Sequence, residues 1–199
     1  MTIGYLNNEE NIDWKNKVGN LTGNAIGANS IVWYAPGRYI LGAWIDGTDT
    51  WAGISNDFGG DDWTLAGCGD FDGDGKDSVL TSYNNGQAFY IADIGGTPTS
   101  LGNTVWSGQT VGAIGNFSGD GKDDIILFCE QAGTVTVTKL KNGNADNSVS
   151  LGCLSNETIY GCGDYDGDCK DDLPVKQNST ATLGYYSEGI LDSNHWNEM

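Results

Sequence analysis

Basic residues are scarce in this chain: 9 lysines and arginines stand against 27 aspartates and glutamates, a formal net charge of −18 over 199 residues. A protein that tracks a phosphate backbone needs a basic patch, and none can be assembled here, so nucleic acid and anionic membrane surfaces are excluded as partners. Long apolar runs are also missing. No stretch approaches the ~18 residues of a membrane span, and Met1–Tyr5 has neither the basic start nor the apolar core of a signal peptide. Membrane insertion is not expected, and an extracellular or cell-surface setting would call for a leader outside this sequence.

Histidine occurs once, at His195, and neither a GxSxG nor an HExxH pattern is present. With no serviceable Cys-His pair either, no catalytic constellation is recognisable, and the chain is not read as an enzyme. Cys68, Cys129, Cys153, Cys162 and Cys169 are odd in number and contain no CxxC pair, which argues against a closed disulfide framework and against a zinc site. Segments with Leu, Ala, Glu and Lys at helical spacing are absent. What the chain has instead is 31 glycines, 11% aromatics and many Thr, Val and Ile, the composition of an all-β protein.

One stretch recurs. Asp70-Phe71-Asp72-Gly73-Asp74-Gly75-Lys76-Asp77-Ser78 returns as Asn116-Phe117-Ser118-Gly119-Asp120-Gly121-Lys122-Asp123-Asp124 and as Asp164-Tyr165-Asp166-Gly167-Asp168-Cys169-Lys170-Asp171-Asp172, at offsets of 46 and 48 residues. A decayed copy begins at Asn20, 50 residues before the first, with Thr22 and Asn24 in place of carboxylates. Glycine and aspartate at this density make a turn rather than a helix or strand interior. A short apolar run follows each loop (Val79-Leu80, Ile125–Phe128, Leu173–Val175). A turn signal such as Asn84-Asn85-Gly86 comes next, and then an alternating stretch such as Thr134–Thr138. The unit is therefore a small antiparallel sheet of about four strands, and repeats of ~40–50 residues with this content are blades of a β-propeller.

The whole of residues 1–199 reads as one such array: a half unit at 1–17, then units with loops at 20–30, 70–78, 116–124 and 164–172. Thr2–Leu6 followed by Asp13-Trp14 matches Thr182–Tyr186 followed by His195-Trp196, so the two ends are redundant half-blades: either the array is cut from a larger one, or the spare half pairs with another copy of the chain. Two residues before the loops stand Val18, Cys68, Ile114 and Cys162; equivalence with Val and Ile makes the two cysteines packing groups. Trp14, Trp63 and Trp106 precede their loops and are expected in the core between units or facing a ligand. Trp44 and Trp51 either form an apolar platform for a sugar ring or cover the first unit's core.

Alternate loop residues can aim oxygens at one centre, and an all-oxygen set selects a hard cation, calcium over magnesium. The expected ligands are Asp70, Asp72, Asp74, the Lys76 carbonyl and Ser78 or Asp77; then Asn116, Ser118, Asp120, the Lys122 carbonyl and Asp124; then Asp164, Asp166, Asp168, the Lys170 carbonyl and Asp172. The helical calcium loop does not fit, because its twelfth position, a bidentate Glu, is here Thr81, Leu127 or Val175. The neutral loop at Asn20 is expected to hold no tight site. The sequons at Asn20, Asn116, Asn156 and Asn178 matter only in a glycosylating host.

The pattern D-x-D-x-D-G-x-x-D, with an aromatic second residue and a short apolar strand after it, resembles the FG-GAP/VCBS repeats of integrin α-chain propellers and secreted bacterial propellers. The resemblance implies a Ca²⁺-bearing β-propeller that recognises a glycan or a protein in adhesion, or serves as an assembly or accessory module. Ser78, Asn116, Ser118 and Cys169 depart from that pattern, and they place the 70–78 and 164–172 loops above 116–124.

Overall fold

Each Asp/Gly-rich loop joins the first and second strands of a four-stranded antiparallel sheet, and the described residues form four such sheets in succession. The computed structural model describes residues 15–23, 30–35, 40–46, 50–54, 62–83, 88–101, 109–131, 134–141, 148–154, 157–191 and 193–199. The first sheet contains β1 (Lys15–Gly19), β2 (Ser30–Ala35), β3 (Ile40–Trp44) and β4 (Trp51–Gly53). The second contains β5 (Trp63–Gly69), β6 (Ser78–Tyr83), β7 (Ala88–Ala92) and β8 (Thr99–Ser100). The third contains β9 (Gln109–Gly115), β10 (Asp124–Gln131), β11 (Thr134–Leu140) and β12 (Ser148–Leu154), and the fourth β13 (Glu157–Ile159), β14 (Leu173–Gln177), β15 (Leu183–Tyr186) and β16 (Trp196–Glu198). In every sheet the strands pair in chain order, as a meander.

The structural unit thus starts one strand before the loop. Lys15–Lys17, assigned by the sequence to a half unit, open β1 of the first sheet. Leu183–Tyr186 and Trp196 are the third and fourth strands of the last sheet. Residues 1–14, with Thr2–Leu6 and Trp14, lie outside the described residues, as do Asn24–Asn29, Thr48-Asp49, Asn84–Gly86 and Trp106.

The core is a set of layers between successive sheets. One layer joins Leu21, Val32, Tyr34 and Leu41 of the first sheet to Leu65 and Val79 of the second. The next sets Phe71 and Leu80 against Ile125, Leu127 and Leu140. The last joins Ala113, Phe117, Ile126 and Leu154 to Leu173. Side chains alternate across a strand, so Val79 and Leu80, or Ile125 and Ile126, enter different layers. A second strand covered on both faces must be apolar throughout, which is why those runs are continuous rather than alternating.

First strands carry a matched irregularity. In β5 the pairing with β6 skips Ala66, and in β9 the pairing with β10 skips Gly112, each four residues before the loop. A bulge sharpens the local twist of the strand that feeds each loop.

Candidate metal centres

The loops are held by their own aspartates. In Asp70–Ser78 the Gly73 amide donates to Asp70 Oδ1 at 2.6 Å and the Gly75 amide to Asp70 Oδ2 at 2.9 Å. The Asp74 amide donates to Asp72 Oδ1 at 3.0 Å and the Lys76 amide to Asp74 Oδ1 at 2.9 Å. Asp164–Asp172 repeats the pattern: the Gly167 and Cys169 amides donate to Asp164 at 2.7 and 3.1 Å, the Asp168 amide to Asp166 at 3.2 Å and the Lys170 amide to Asp168 at 2.9 Å. A carboxylate that accepts the amide two or more residues on closes a tight turn and turns successive side chains inward.

Among the described residues, two groups of carboxylates come together in this way. One oxygen from each of Asp70, Asp72 and Asp74 lies within 4.8 Å of the others, and the same holds for Asp164, Asp166 and Asp172. Asp172 is buried, and burial pushes its carboxyl up from the usual aspartate value against the amide bonds it accepts from Tyr165 and Glu188. A buried carboxylate facing two others is repelled unless a cation joins it, and three oxygens at this spacing suit a hard divalent ion. Asp168, expected as a ligand, stands outside the close group, with Lys170 Nζ 3.9 Å away.

The Asn116–Asp124 loop keeps the turn and loses the cluster. The Asp120 amide donates to Asn116 Oδ1 at 3.1 Å and the Lys122 amide to Asp120 Oδ1 at 3.2 Å, but Ser118 Oγ donates to the buried Asp124 at 2.7 Å. Two ammonium groups arrive from β11 and the residue after it: Lys139 Nζ lies 3.4 Å from Ser118 Oγ and Lys141 Nζ 3.3 Å from Asp120 Oδ2. At the decayed first loop, Asp46 receives hydrogen bonds from Thr22 Oγ1 at 2.8–2.9 Å.

Sequence reasoning missed the groups that complete these loops. Asp46, Asp93, Lys141 and Glu188 all come just after the third strand of their sheets. Asp93 accepts from Ser78 Oγ at 2.6 Å, and Glu188 pairs with Lys170 at 2.5 Å. The repeat phase was the available signal, since each follows its strand at an equivalent place, but no shared residue type marks it.

Asp77 is placed elsewhere. Its Oδ2 accepts from the Asn20 amide of the preceding sheet at 2.8 Å, and its own amide donates to the Asn20 carbonyl at 2.9 Å. Asp123 clasps Asp70 in the same double fashion at 2.8 and 2.7 Å, and Asp171 clasps Asn116 at 2.7 and 3.1 Å. The eighth loop position is thus a seam residue. Burial, reinforced by Asp77, Asp171 and Asp70, pushes the Asp123 carboxyl up to about 6 despite its bond from the Asp70 amide. Behind the clasps, Cys68 and Cys162 are half-buried and pack against the layers, as expected of packing groups; burial raises their thiols to about 12 and about 11. None of the five cysteines is in a disulfide.

Trp63 packs against the first layer and against Tyr83, ring centroids 5.0 Å apart. Trp44 meets Trp33 and Trp51 edge to face at 5.5 and 6.3 Å, and the Trp51 ring stands over Gly42, where a Cβ would collide with it, while 42% of Trp51 remains exposed. Compared with protein-family models and with curated proteins, the chain finds no match.

Proposed function

We propose that the chain is a β-propeller-type array whose Asp70–Ser78 and Asp164–Asp172 loops each hold one Ca²⁺, and that it serves as a calcium-stabilised recognition module. The observation that carries the metal assignment is the convergence of three carboxylates in two loops of the same design, against none in the loop supplied with lysines. Asp70, Asp72 and Asp74 would hold one ion, and Asp164, Asp166 and Asp172 the other. Bound calcium supplies positive charge to loops that otherwise repel themselves. The propeller reading is supported by first strands that lie side by side, β1 next to β5 and β5 next to β9, as the inner strands of sheets fanned about one axis do.

Extracellular fluid, rich in calcium, is the setting that suits such loops. For the recognition surface, Trp51 offers an exposed indole braced by Trp44, the geometry on which a sugar ring stacks. A glycan array with the intact chain, repeated with Trp51→Ser, should show hits that the variant loses. An array without hits removes the sugar reading and leaves protein recognition.

Calorimetric titration of the chelator-treated chain with Ca²⁺ tests the metal assignment. Two ions per chain are expected, with a rise in melting temperature. An ion bound only to the native state stabilises it by ~2.7 kcal/mol at a hundredfold excess over Kd. No heat and an unchanged melting temperature would refute it.

A further inference from the structure

The three seams inside the chain are copies of one interface, each made from the loop end of one sheet and the first strand of the next. On the loop side, the second loop residue is covered by the following sheet: Leu21, Phe71 and Phe117 are 6, 4 and 1% exposed. On the strand side, Cys68, Ile114 and Cys162 stand against Gly19, Gly69 and Gly115 so closely that a Cβ on any of the three glycines would lie about 3 Å or less from the facing side chain. At the two ends of the array the same positions are uncovered by any neighbouring sheet among the described residues, and the Tyr165 ring stacks only on Tyr185 of its own sheet, centroids 5.7 Å apart. Tyr165, equivalent to Phe117, is 50% exposed, and Val18, equivalent to Ile114, is 57% exposed. A Cβ on Gly163 would have Tyr165 of its own loop as its nearest neighbour, at 3.5 Å, in place of a side chain from another sheet. Among the described residues nothing accepts from the Asp164 amide, whereas the Asn20, Asp70 and Asn116 amides each donate to an aspartate of the next sheet.

We propose that these two faces are the halves of a fourth seam made between chains: the fourth sheet of one copy docks head to tail on the first sheet of a second copy, Tyr165 and Gly163 receiving Val18. This rests on reading the sheets as a fan about one axis. The partner is a second copy because the interface is already made three times within the chain, with both complementary halves displayed on every molecule. An association of unlike faces closes only if the rotation closes. Two copies bring together eight sheets, within the range of about four to eight found in propeller rings, and three copies exceed it, so closure at a dimer is expected. A closed pair also buries both exposed ends at once.

Sedimentation of the full chain, in calcium and in chelator, over a wide concentration range tests this. The expected mass is twice the 21.1 kDa of one chain. Val18→Asp and Tyr165→Asp should each give a single-chain mass with an unchanged far-ultraviolet spectrum, while Val149→Asp, on an exposed edge of the third sheet, should leave the dimer intact. Because the two faces differ, mixing the Val18→Asp and Tyr165→Asp chains should restore a two-chain species through the one seam the mixture can still form. A single-chain mass for the unaltered protein at high concentration overturns the proposal, as does a dimer that survives both substitutions. Masses that keep growing with concentration overturn the closed ring. A dimer that forms with no calcium uptake leaves the docking standing and removes the metal reading, whereas a calcium-binding monomer does the reverse.

Discussion

Two loops of this chain share one turn and differ in how they bear their charge. Asp70–Ser78 gathers three carboxylates and has Lys76 only at its rim, 3.6 Å from Asp74 and largely exposed. Asn116–Asp124 has an amide and a hydroxyl at two of those positions, and Lys139 and Lys141 reach into it. The turn is formed in both by side-chain oxygens accepting loop amides, two at Asp70 and one, from Asp120, at the uncharged Asn116. The fold therefore needs the oxygen and not the charge, and surplus carboxylates have to be explained by something other than the turn. In one loop a lysine pair from within the chain answers them; in the other, on our reading, an ion from solution does.

Asp72→Asn gives the sharpest contrast. The asparagine oxygen can still accept from the Asp74 amide, so the turn is kept while one ligand charge is lost. At calcium well above Kd the variant should lose most of one ion's contribution, ~2.7 kcal/mol at a hundredfold excess. In chelator it should equal or exceed the parent, since repulsion is relieved. Asp120→Asn in the middle loop should change the calcium count not at all. Equal losses from the two variants in a denaturant titration with calcium would erase the distinction between the loops.

Asp123→Asn tests the seam rather than the loop interior. The folded protein holds Asp123 protonated up to about pH 6, above its ordinary value, so its contribution to stability is fully present below about pH 4 and is lost as pH rises through about 6. Asparagine keeps the acceptor for the Asp70 amide without the charge. In chelator, the variant should match the parent near pH 4 and exceed it at pH 8, by ~1 kcal/mol once solvent screening at a partly exposed site is allowed for. Paired melting curves across that range provide the check, and a parent as stable as the variant at pH 8 would show that the amide bond outweighs burial.

Converting the middle loop is the next step down in size. Lys139→Met with Lys141→Met removes both ammonium groups and leaves the Ser118 hydroxyl donating to Asp124. The exposed pair to Asp120 is worth ~0.2–1 kcal/mol, so the fold should survive. Titration should then show a third, weak calcium site. A count that stays at two would mean the lysines are bystanders and that the missing carboxylates alone disable the loop.

The architecture was legible where chemistry repeats. Val79-Leu80 and Ile125–Phe128 could be placed as buried strands because a strand covered on both faces has no polar side to show, and the loops could be placed because so dense a run of glycine and aspartate favours a turn over a helix or strand interior. The phase of the unit was not legible, because the strand before each loop, such as Lys15–Gly19, is half polar and shares no residue type with Trp63–Gly69 beyond its last glycine. Asp77 was read as a ligand for a related reason. Its neighbours in sequence line the loop, whereas its partner, Asn20, lies 57 residues away in the preceding sheet. Asp93 and Lys141 were invisible because the loop they complete is far from them in the chain.

The smallest effect concerns one atom group in the fourth loop. Gly75 and Gly121 take φ of +84° and +80°, and Cys169 at the same position is held at +68°. A side chain in that region crowds the following carbonyl and costs ~1–2 kcal/mol, whereas glycine is free of that strain but loses ~0.5–1 kcal/mol of chain entropy on folding. Cys169→Gly should therefore stabilise the protein by ~0.5 kcal/mol while keeping the amide that donates to Asp164. The reverse change, Gly121→Cys, meets no atom within 4 Å of its new Cβ, so its cost is backbone strain alone and should be equal and opposite. Denaturant midpoints with unchanged slopes measure both. If Cys169→Gly instead weakens calcium binding at Asp164, Asp166 and Asp172, then the stiffness of Cys169 serves the site by holding the Asp164 turn closed.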